Sequence, residues 1–301
     1  MNYTLHQLRV FQKVVELKSI TKAAEALNMT QPAVSIQLKN LQEQFDMPIT
    51  EIFGRQVHIT DFGMELNEVA GRILDEVELI DYMSKQYKGL LAGKLKIASV
   101  STGKYVIPYF LKGFLDMHKG VKLDFDVTNR REVIANLEKN DIDFAVMAVE
   151  PEHINLNEEI IMPNTLFVVG SNENSELTLK DEVSLLHREE GSGTRIIMLN
   201  FFDKKGINTK LRMQLRSNEA VKQAVIAGLG ISVLPVVSMK NELENGQVKI
   251  INVEGFPLKS DWKLVWLKNK RLSPVANAFL DYIKENKEEI FRKEFSWMER
   301  Y

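Results

Sequence analysis

Residues 19–45 constrain the fold more than any other stretch, because their pattern predicts two short helices joined by a tight turn. The first helix carries one apolar stripe of small side chains, formed by Ala23, Ala24 and Leu27. Residues 28–30 interrupt that pattern with turn-forming and helix-capping residue types. Pro32 follows where the first turn of a helix tolerates proline, so a second helix begins near this position.

The second helix combines a buried stripe with a polar surface. Its apolar residues recur every three or four positions, at Val34, Leu38, Leu41 and Phe45. Its amino-terminal end carries small or polar residues off this stripe: Thr30, Gln31, Pro32, Ser35 and Gln37. Helix amino termini attract phosphate, and short polar groups reach base edges in the major groove. We therefore predict a helix-turn-helix that binds DNA through these residues. A helix pair packed inside an ordinary α-helical domain is the competing interpretation.

A β-hairpin is predicted directly after this helix pair. A short strand follows Pro48, a turn falls at Gly54, and residues 56–60 alternate between polar and apolar side chains. Such a hairpin is the wing of a winged helix-turn-helix. Arg55 stands at its tip. An arginine on a turn is usually only solvated, but beside a DNA-binding motif we assign it to the phosphate backbone or the minor groove.

A long amphipathic helix follows the hairpin. Thr60 and Asp61 suit its start, and apolar residues then recur every three or four positions from Phe62 to Leu90. This stripe is longer than one small domain requires, so it predicts pairing with a second copy of the chain. An amphipathic linker packed only on its own domain is the alternative. Residues 89–93 contain two glycines and mark a hinge.

Beyond the hinge the predicted elements alternate between strand and helix, first over 94–148 and again from about 165 to 243. One more strand near 264–267 and a helix at 275–291 complete the series. Such alternation predicts βαβ units in two α/β lobes, and ligands favour the cleft at the carboxyl ends of the strands. The predicted fold is therefore α/β and multidomain. Its parts are a winged helix-turn-helix at 1–60, a dimerisation helix and hinge at 61–91, and a two-lobed α/β domain at 92–301.

Three stretches at predicted strand ends carry groups suited to an anion. The first contains Ser101, Thr102 and Lys104, the second Asn129 and Arg130, and the third Gly193, Thr194 and Arg195. Hydroxyl groups, the backbone N–H groups of a helix start and guanidinium groups all bind carboxylate or phosphate. We predict these residues as the effector site. Ordinary helix capping, surface pairing of Arg130 with a nearby glutamate and a plain glycine-rich loop stay open as alternatives.

Composition excludes several classes of function. The chain of 301 residues contains no cysteine, which excludes disulfides, thiolate metal sites and cysteine catalysis. The five histidines are scattered, and no hydrolase, phosphate-loop or zinc-protease motif occurs, so we predict no catalytic residue, no metal and no cofactor. We find no signal peptide and no run of the ~20 apolar residues that a membrane span needs, which predicts a cytoplasmic protein. The net charge is −2, so the chain as a whole is not basic. Affinity for DNA must then come from a few cations placed at the interface or from two DNA-binding domains acting together.

Residues 19–35, SITKAAEALNMTQPAVS, resemble the amino-terminal signature of the LysR-type transcriptional regulators. Further motifs resemble the branch of that family that contains the RuBisCO-operon (CbbR-like) and sulfur-assimilation regulators: VSTGKY, NRRE, REEGSGTR and SNEAVKQAVIAGLGI. The resemblance covers residues 3 to about 285. It implies that residues 92–301 are an effector domain that resembles periplasmic binding proteins. The chain of such a domain crosses between the lobes twice, which gives lobe one at 92–163 plus 268–291 and lobe two at 164–267. The resemblance also implies dimerisation through the long helix and small anionic effectors such as phosphorylated metabolites.

The resemblance implies a sequence-specific transcription regulator in which an anionic metabolite, bound between the lobes, shifts the geometry of paired DNA-binding domains. Its expected partners are double-stranded promoter DNA, the effector and further copies of the chain in a homodimer or homotetramer, with RNA polymerase as a candidate contact. Two cations of the family pattern are missing, because Ile36 and Ile52 stand where the family has arginine. A small-molecule-binding module with weakened or lost DNA binding is therefore the alternative function.

Overall fold

The computed structural model describes residues 2–53, 56–86, 90–171 and 182–301, without the side chains of 52, 53, 56, 79, 81–86, 182–184 and 208. The chain divides into two compact units, Met1–Leu90 and Leu91–Tyr301. Two predicted features lie outside the described residues. They are the hairpin turn at Gly54 and Arg55, and the first residue of the hinge, Gly89.

The first unit begins with the predicted three-helix arrangement. Its helices are α1 (Leu5–Leu17), α2 (Ile20–Ala26) and α3 (Gln31–Gln42). A polar side chain caps the start of each one: Thr4, Ser19 and Thr30 accept a hydrogen bond from the backbone N–H three residues later. The helix-turn-helix prediction is confirmed, and Ser19 is the cap of its first helix. Helix α3 ends earlier than its apolar stripe suggested, because Phe45 lies beyond Gln42 and packs against Phe62 from outside the helix.

A hairpin and a long helix complete the first unit. Strands β1 (Thr50–Phe53) and β2 (Gln56–Ile59) pair antiparallel, and α4 runs over Asp61–Gln86. The Thr60 hydroxyl accepts from the backbone N–H of Gly63 at 2.9 Å and so caps α4, as predicted. A buried core joins all the helices of the unit, with side chains from α1, α2, α3 and α4 at Phe11, Ala23, Leu38 and Leu74. At 26 residues α4 is about 39 Å long.

The second unit alternates strand and helix in the order predicted. Its elements are β3 (Ala92–Val100), α5 (Ile107–Met117), β4 (Gly120–Thr128), α6 (Arg130–Glu138), β5 (Phe144–Met147), β6 (Leu156–Gly170), β7 (Glu182–Arg188), α7 (Gly193–Lys204), β8 (Asn208–Leu215), α8 (Asn218–Ile226), β9 (Ser232–Pro235), α9 (Lys240–Glu244), β10 (Lys249–Ile250), β11 (Leu258–Leu267) and α10 (Pro274–Ile290). A separate 3-10 turn, Val236–Ser238, lies between β9 and α9.

Two long antiparallel strands connect the halves of this unit. Strand β6 pairs with β11 along the whole of β11, from Leu258 opposite Leu166 to Leu267 opposite Leu156, with a bulge between Trp262 and Lys263. Among the described residues the main sheet has the order β10-β6-β11-β5-β3-β4, and β9 also pairs with β6. Strands β3, β4 and β5 are parallel, as are β7 and β8 in a second sheet. The sequence pattern underestimated the lengths of β6 and β11.

Helices cover both faces of the main sheet. Successive strand residues alternate between faces, so Ile97 and Phe144 meet one layer while Ala98 and Ala145 meet the other. The first layer comes from α5 and α10, whose Phe114 and Phe279 rings lie 5.2 Å apart. The second comes from α6, through Val133 and Leu137. The half formed by β7, β8, β9 and α7 has its own core, around Leu185, Met198 and Phe202.

The carboxyl-terminal segment packs on its own domain. A π-helical turn, Phe291–Phe295, and a 3-10 turn, Ser296–Arg300, follow α10. Phe295, Trp297 and Met298 are buried, and the Phe295 ring lies 5.2 Å from that of Tyr109. The apolar residues of this segment therefore bury surface within the unit. In the part of the chain that the structure describes, no helix is long and apolar enough to cross a bilayer.

Candidate functional site

The predicted DNA-binding surface lies on α3. Val34, Leu38 and Leu41 turn into the core, which directs the remaining faces of the helix away from it. Gln31 and Pro32 are exposed, while Ser35 and Gln37 are half-buried. The Gln31 side-chain amide donates to the Ser35 hydroxyl at 3.5 Å, so these two polar groups lie side by side on successive turns.

The start of α3 has the features of a phosphate contact. The Thr30 hydroxyl accepts from the backbone N–H of Ala33 at 3.4 Å, and Pro32 has no N–H to satisfy. The positive end of the helix is therefore ordered and accessible, which suits contact with a DNA backbone. The one large apolar side chain on this face within the described residues is Ile36, which is 56% exposed. The roles of Thr30, Gln31, Pro32, Ser35 and Gln37 in binding DNA stay predictions, as does that of Arg55.

The apolar stripe of α4 is divided between two environments. Phe62, Leu66 and Ile73 pack against the core of the first unit. Val69 and Ile80 instead remain 42% and 66% exposed. Exposed apolar side chains at helical spacing favour pairing with another helix. Dimerisation through α4 stays a prediction.

In the second unit, a small cavity lies where several strands end. One wall consists of the last residues of β3 and β5 and the residues that follow them, 100–102 and 147–149, together with Arg130 from the start of α6. The opposite wall comes from the end of β7, the start of α7 and Pro235, while β6 and β11 form the floor with Asn164 and Trp262. The carboxyl ends of parallel strands are the usual ligand site of open α/β sheets. The cavity volume is about 30 Å³.

Close packing fixes the first predicted stretch. Ser101 begins a 3-10 turn, Ser101–Tyr105, directly after β3. A Cβ atom at Gly103 would overlap the buried Ser99 hydroxyl, so this turn can lie on the strand end only with glycine there. As a result Ser101 and Thr102 both line the cavity, as predicted. Ser101 is half-buried and Thr102 buried, which limits the positions that their hydroxyl groups can take.

Arg188 is the central cation of the cavity, although sequence reasoning did not select it. Its side chain is 4% exposed at the carboxyl end of β7. Nη1 donates to Asn218 Oδ1 at 2.5 Å, and Nη2 donates to Ser101 Oγ at 3.0 Å. Nε and Nη2 also donate to the two carboxylate oxygens of Glu189, at 2.7 and 2.8 Å. The signal that could have found Arg188 is its place at the end of a predicted strand, inside the motif that contains Gly193.

The floor of the cavity carries two polar atoms without partners. Asn164 and Trp262 are 3% and 1% exposed. Within the described residues, Asn164 Oδ1 and Trp262 Nε1 have no hydrogen-bond partner, although Asn164 Nδ2 donates to Ser260 at 2.9 Å. Buried polar groups are paired in most proteins, so unpaired ones at a cavity floor indicate atoms available to a ligand. Sequence reasoning missed both residues, because they lie inside long strands whose pattern gave no sign of a site.

The start of α7 and Arg130 complete the polar lining. Gly193 and Thr194 form the first turn of α7, whose backbone N–H groups have no acceptor within the helix. Both residues line the cavity, as predicted. Arg130 also lines it and donates through Nε to the Val149 carbonyl at 3.1 Å. Partial burial lowers the pKa of the Arg130 guanidinium, yet an arginine keeps its charge at neutral pH. The cavity therefore presents two cations and a helix amino terminus.

Three of the predicted effector residues lie outside this cavity. Lys104 faces a separate recess and lies 3.8 Å from the Glu219 carboxylate. The Asn129 side chain caps α6 by accepting from the backbone N–H of Glu132 at 3.0 Å. Arg195 turns toward β8, where it donates to the Gln214 side chain and to the Arg188 carbonyl. Each had the right residue type near a strand end, but helix geometry turns the side chain away from the cavity.

A winged helix-turn-helix, a long exposed helix and a two-lobed α/β unit with a polar cavity together define a class, the ligand-responsive DNA-binding transcription regulators. Two family models match the chain in the same order. The "Bacterial regulatory helix-turn-helix protein, lysR family" matches residues 5–64, and the "LysR substrate binding domain" matches residues 88–288. The chain belongs to the LysR family of bacterial transcription regulators.

Individual relatives agree with this assignment. The RuBisCO operon transcriptional regulator of Acidithiobacillus ferrooxidans is 38% identical over 287 residues, which are 93% of each chain. The regulatory domain of Synechocystis CcmR in complex with 2-PG covers 65% of this chain and 97% of its own, with 31% identity and a TM-score of 0.61. Full-length CbnR in complex with its target DNA shares the fold at 19% identity, with a TM-score of 0.69 and 94% and 99% of the chains covered. The predicted family, fold class and branch are confirmed.

Proposed function

We propose that this transcription regulator responds to a small anionic metabolite bound in the cavity between the two halves of its effector domain. The observation that carries the proposal is the convergence of Arg188, Arg130, Ser101 and the amino terminus of α7 on one buried space. Positive charge and backbone N–H groups in a buried site select carboxylate or phosphate over neutral ligands. The relative bound to 2-PG, a phosphorylated acid, supports this ligand class.

The effector acts through the two halves of the domain. Residues 100–102 and Arg130 come from the half with β3, β4 and β5, whereas Arg188 and Thr194 come from the half with β7 and α7. A ligand that contacts both walls binds one arrangement of the halves more tightly than the others. Only this difference in affinity between the arrangements can shift their populations and so produce a response. The DNA-binding domains of a dimer or tetramer, paired through α4, would then change their spacing on the promoter. RNA polymerase is the proposed downstream contact, and the bacterial cytoplasm the proposed location.

The DNA half of the proposal places Gln31, Ser35 and Gln37 against base edges, with Thr30 and Pro32 at the backbone. A gel-shift titration with the DNA upstream of the gene tests it. We expect the variant Gln31→Ala/Ser35→Ala to lose about tenfold or more in specific affinity, since each base contact contributes about 1–3 kcal/mol. Gln247→Ala, an exposed change in the second unit, serves as the control.

A further variant, Ser35→Ala/Arg55→Ala, combines a base contact with the wing. Unchanged affinity in both double variants would refute the assignment of these residues. If the unsubstituted chain itself failed to shift any upstream segment, the alternative of a module without DNA binding would take the place of this half of the proposal.

The effector half is tested by thermal shift with a panel of phosphorylated and carboxylated metabolites that includes 2-PG. We expect one or more anions to stabilise the unsubstituted chain, and Thr102→Ala and Arg130→Ala to reduce that shift without unfolding the domain. Lys104→Ala is the matched control, because Lys104 lies outside the cavity. Equal stabilisation in the unsubstituted chain and in the Thr102 and Arg130 variants would count against the cavity as the site.

A further inference from the structure

The Arg188 guanidinium is already bound by an anion that the chain itself supplies. Nε and Nη2 of Arg188 donate to the two oxygens of the Glu189 carboxylate, at 2.7 and 2.8 Å. This two-point geometry is the one in which guanidinium groups bind carboxylate and phosphate ligands. The side chains are only 4% and 19% exposed, so the pair is largely shielded from water. Glu189 therefore holds the hydrogen-bonding edge of Arg188 that an anionic ligand requires.

The remaining groups around Arg188 suit a ligand as well as they suit Glu189. Ser101 and Asn218 accept from two further guanidinium N–H groups, which fixes the plane of the group. The unpaired atoms Trp262 Nε1 and Asn164 Oδ1 belong to the same cavity. The cavity of about 30 Å³ is small, and the Glu189 carboxylate already occupies the Nε and Nη2 edge of Arg188. A phosphate or carboxylate that binds these two nitrogens at two points therefore replaces that carboxylate.

Glu189 borders a second space into which its side chain can turn. It lines the inner cavity and also an open groove of about 780 Å³ on the outside of the domain. That groove is lined by three arginines, Arg130, Arg131 and Arg216, and by two further carboxylates, Glu138 and Glu190. Among the described residues Arg131 and Arg216 form no ion pair and are exposed. A carboxylate that turns outward therefore lies in solvent near positive charge. Its free-energy cost of leaving Arg188 is smaller than that of a carboxylate left buried without a partner.

We propose that Glu189 is a built-in competitor for the effector: an anionic ligand binds Arg188 by displacing the Glu189 carboxylate, which turns into the arginine-lined outer groove. This inference rests on the proposed anion site and adds its regulation. The competition lowers apparent affinity by the free energy of the internal pair, so the regulator responds only to elevated effector concentrations. It also discriminates among ligands, because a neutral molecule cannot replace the carboxylate at the guanidinium group without leaving a buried charge unpaired.

The test is isothermal titration of the full-length chain with 2-PG and with inorganic phosphate. In Glu189→Gln the side chain keeps its shape but loses its charge. We expect the dissociation constant for at least one of the two probes to fall by about tenfold, which corresponds to about 1.4 kcal/mol. Glu189→Ala, which removes the competing group altogether, should bind at least as tightly as Glu189→Gln.

Glu190→Gln is the matched control. Glu190 is the next residue in the chain, lines only the outer groove and carries the same charge. Its neutralisation should change the dissociation constant by no more than about twofold, since exposed charges are screened by solvent. A gain in Glu190→Gln equal to that in Glu189→Gln would show a general charge effect and would overturn the proposal.

Arg188→Met/Glu189→Gln tests the other partner without leaving a buried unpaired carboxylate. We expect this double variant to bind the probes less tightly than Glu189→Gln, while circular dichroism and DNA binding report whether it folds. If it does not fold, the comparison of Glu189→Gln with Glu190→Gln still tests the competition.

Equal affinity in the unsubstituted chain and Glu189→Gln would refute the competition but leave the anion site intact. Absence of binding in every variant would refute both, and the gel shift would test the DNA-binding role separately.

Discussion

The side-chain amide of Gln42 joins the end of α3 to the strand entrance at Ile49. Gln42 Oε1 accepts from the backbone N–H of Ile49 at 2.6 Å, and Gln42 Nε2 donates to the Met47 carbonyl at 2.9 Å. Both backbone groups lie in the connection between the helix and the hairpin. Since Ile49 is fully buried, the amide fixes the point at which the chain turns from α3 into the hairpin.

Gln42→Ala should loosen the wing. The loss of two hydrogen bonds, one of them to a buried residue, should destabilise the first unit by about 1–2 kcal/mol in urea unfolding. It should also weaken DNA binding, because the hairpin would no longer be held beside α3. Gln44→Ala is the control, since Gln44 accepts only from the exposed backbone N–H of Asn2 and should change stability by less than about 0.5 kcal/mol. Equal effects in the two variants would contradict a special role for Gln42.

Ile36→Arg should strengthen DNA binding. Ile36 is 56% exposed on the predicted DNA-binding face of α3, where the family pattern has a cation. An arginine there would add about one phosphate contact, which steepens the plot of log affinity against log salt by about 0.9. Gel shifts at several salt concentrations measure this slope. Met117→Arg adds the same charge at an exposed site of the second unit, so a similar change of slope in that variant would show that position 36 does not contact the backbone.

Gly103→Ala should destabilise the second unit. The added Cβ would overlap the Ser99 hydroxyl, and overpacking of this kind costs about 1–3 kcal/mol. The shift would also displace Ser101 and Thr102 from the cavity, so anion binding should weaken. Ser99→Ala/Gly103→Ala removes the overlapping oxygen and should recover most of the lost stability, measured by thermal unfolding beside Ser99→Ala alone. A double variant as unstable as Gly103→Ala would place the cause elsewhere.

His187 should make the protein less stable in mild acid. The ring is 3% exposed, and within the described residues neither nitrogen has a hydrogen-bond partner. Burial, aided by the charge of Arg195, lowers the pKa of His187 below its ordinary 6.5. The unfolded chain therefore binds a proton that the folded chain does not. This contribution to stability is fully present above pH 6.5 and is lost as the pH falls from there through the folded pKa.

His187→Leu removes the titrating group and fills the same buried space. Unfolding free energies at pH 7.5 and 5.5 should fall less with acid in this variant than in the unsubstituted chain. His153→Gln, at an exposed histidine, should behave like the unsubstituted chain. If His187→Leu lost as much stability between the two pH values as the unsubstituted chain, the buried imidazole would not be the cause.

The DNA-binding unit was largely predictable because its signals are local. The caps Ser19 and Thr30, the proline at position 32 and the apolar period of α3 all act within one or two helical turns. Even so, the end of α3 was misjudged, since Phe45 packs on the core from outside the helix and mimics its periodicity. A residue's burial alone does not reveal the backbone conformation that brings it there.

Only some of the residues predicted for the effector site line the cavity, and the others lie outside it for a shared reason. Ser101, Thr102, Arg130, Gly193 and Thr194 were found from strand ends and helix starts, and the structure brings them together. Lys104, Asn129 and Arg195 satisfied the same criteria but lie outside. The direction of a side chain depends on its place within a helical turn, and predicted boundaries do not fix that place.

The sequence by itself determined the order of helices and strands, the family and the polar face of α3, because periodicity and capping are short-range properties of the chain. Only the tertiary structure decided which side chains meet in the cavity. Arg188 donates hydrogen bonds to Ser101, 87 residues away in sequence, and to Asn218, 30 residues away. Asn164 and Trp262 line the same cavity from the long strands β6 and β11. Such contacts arise from the packing of strands distant in sequence, which no local pattern records.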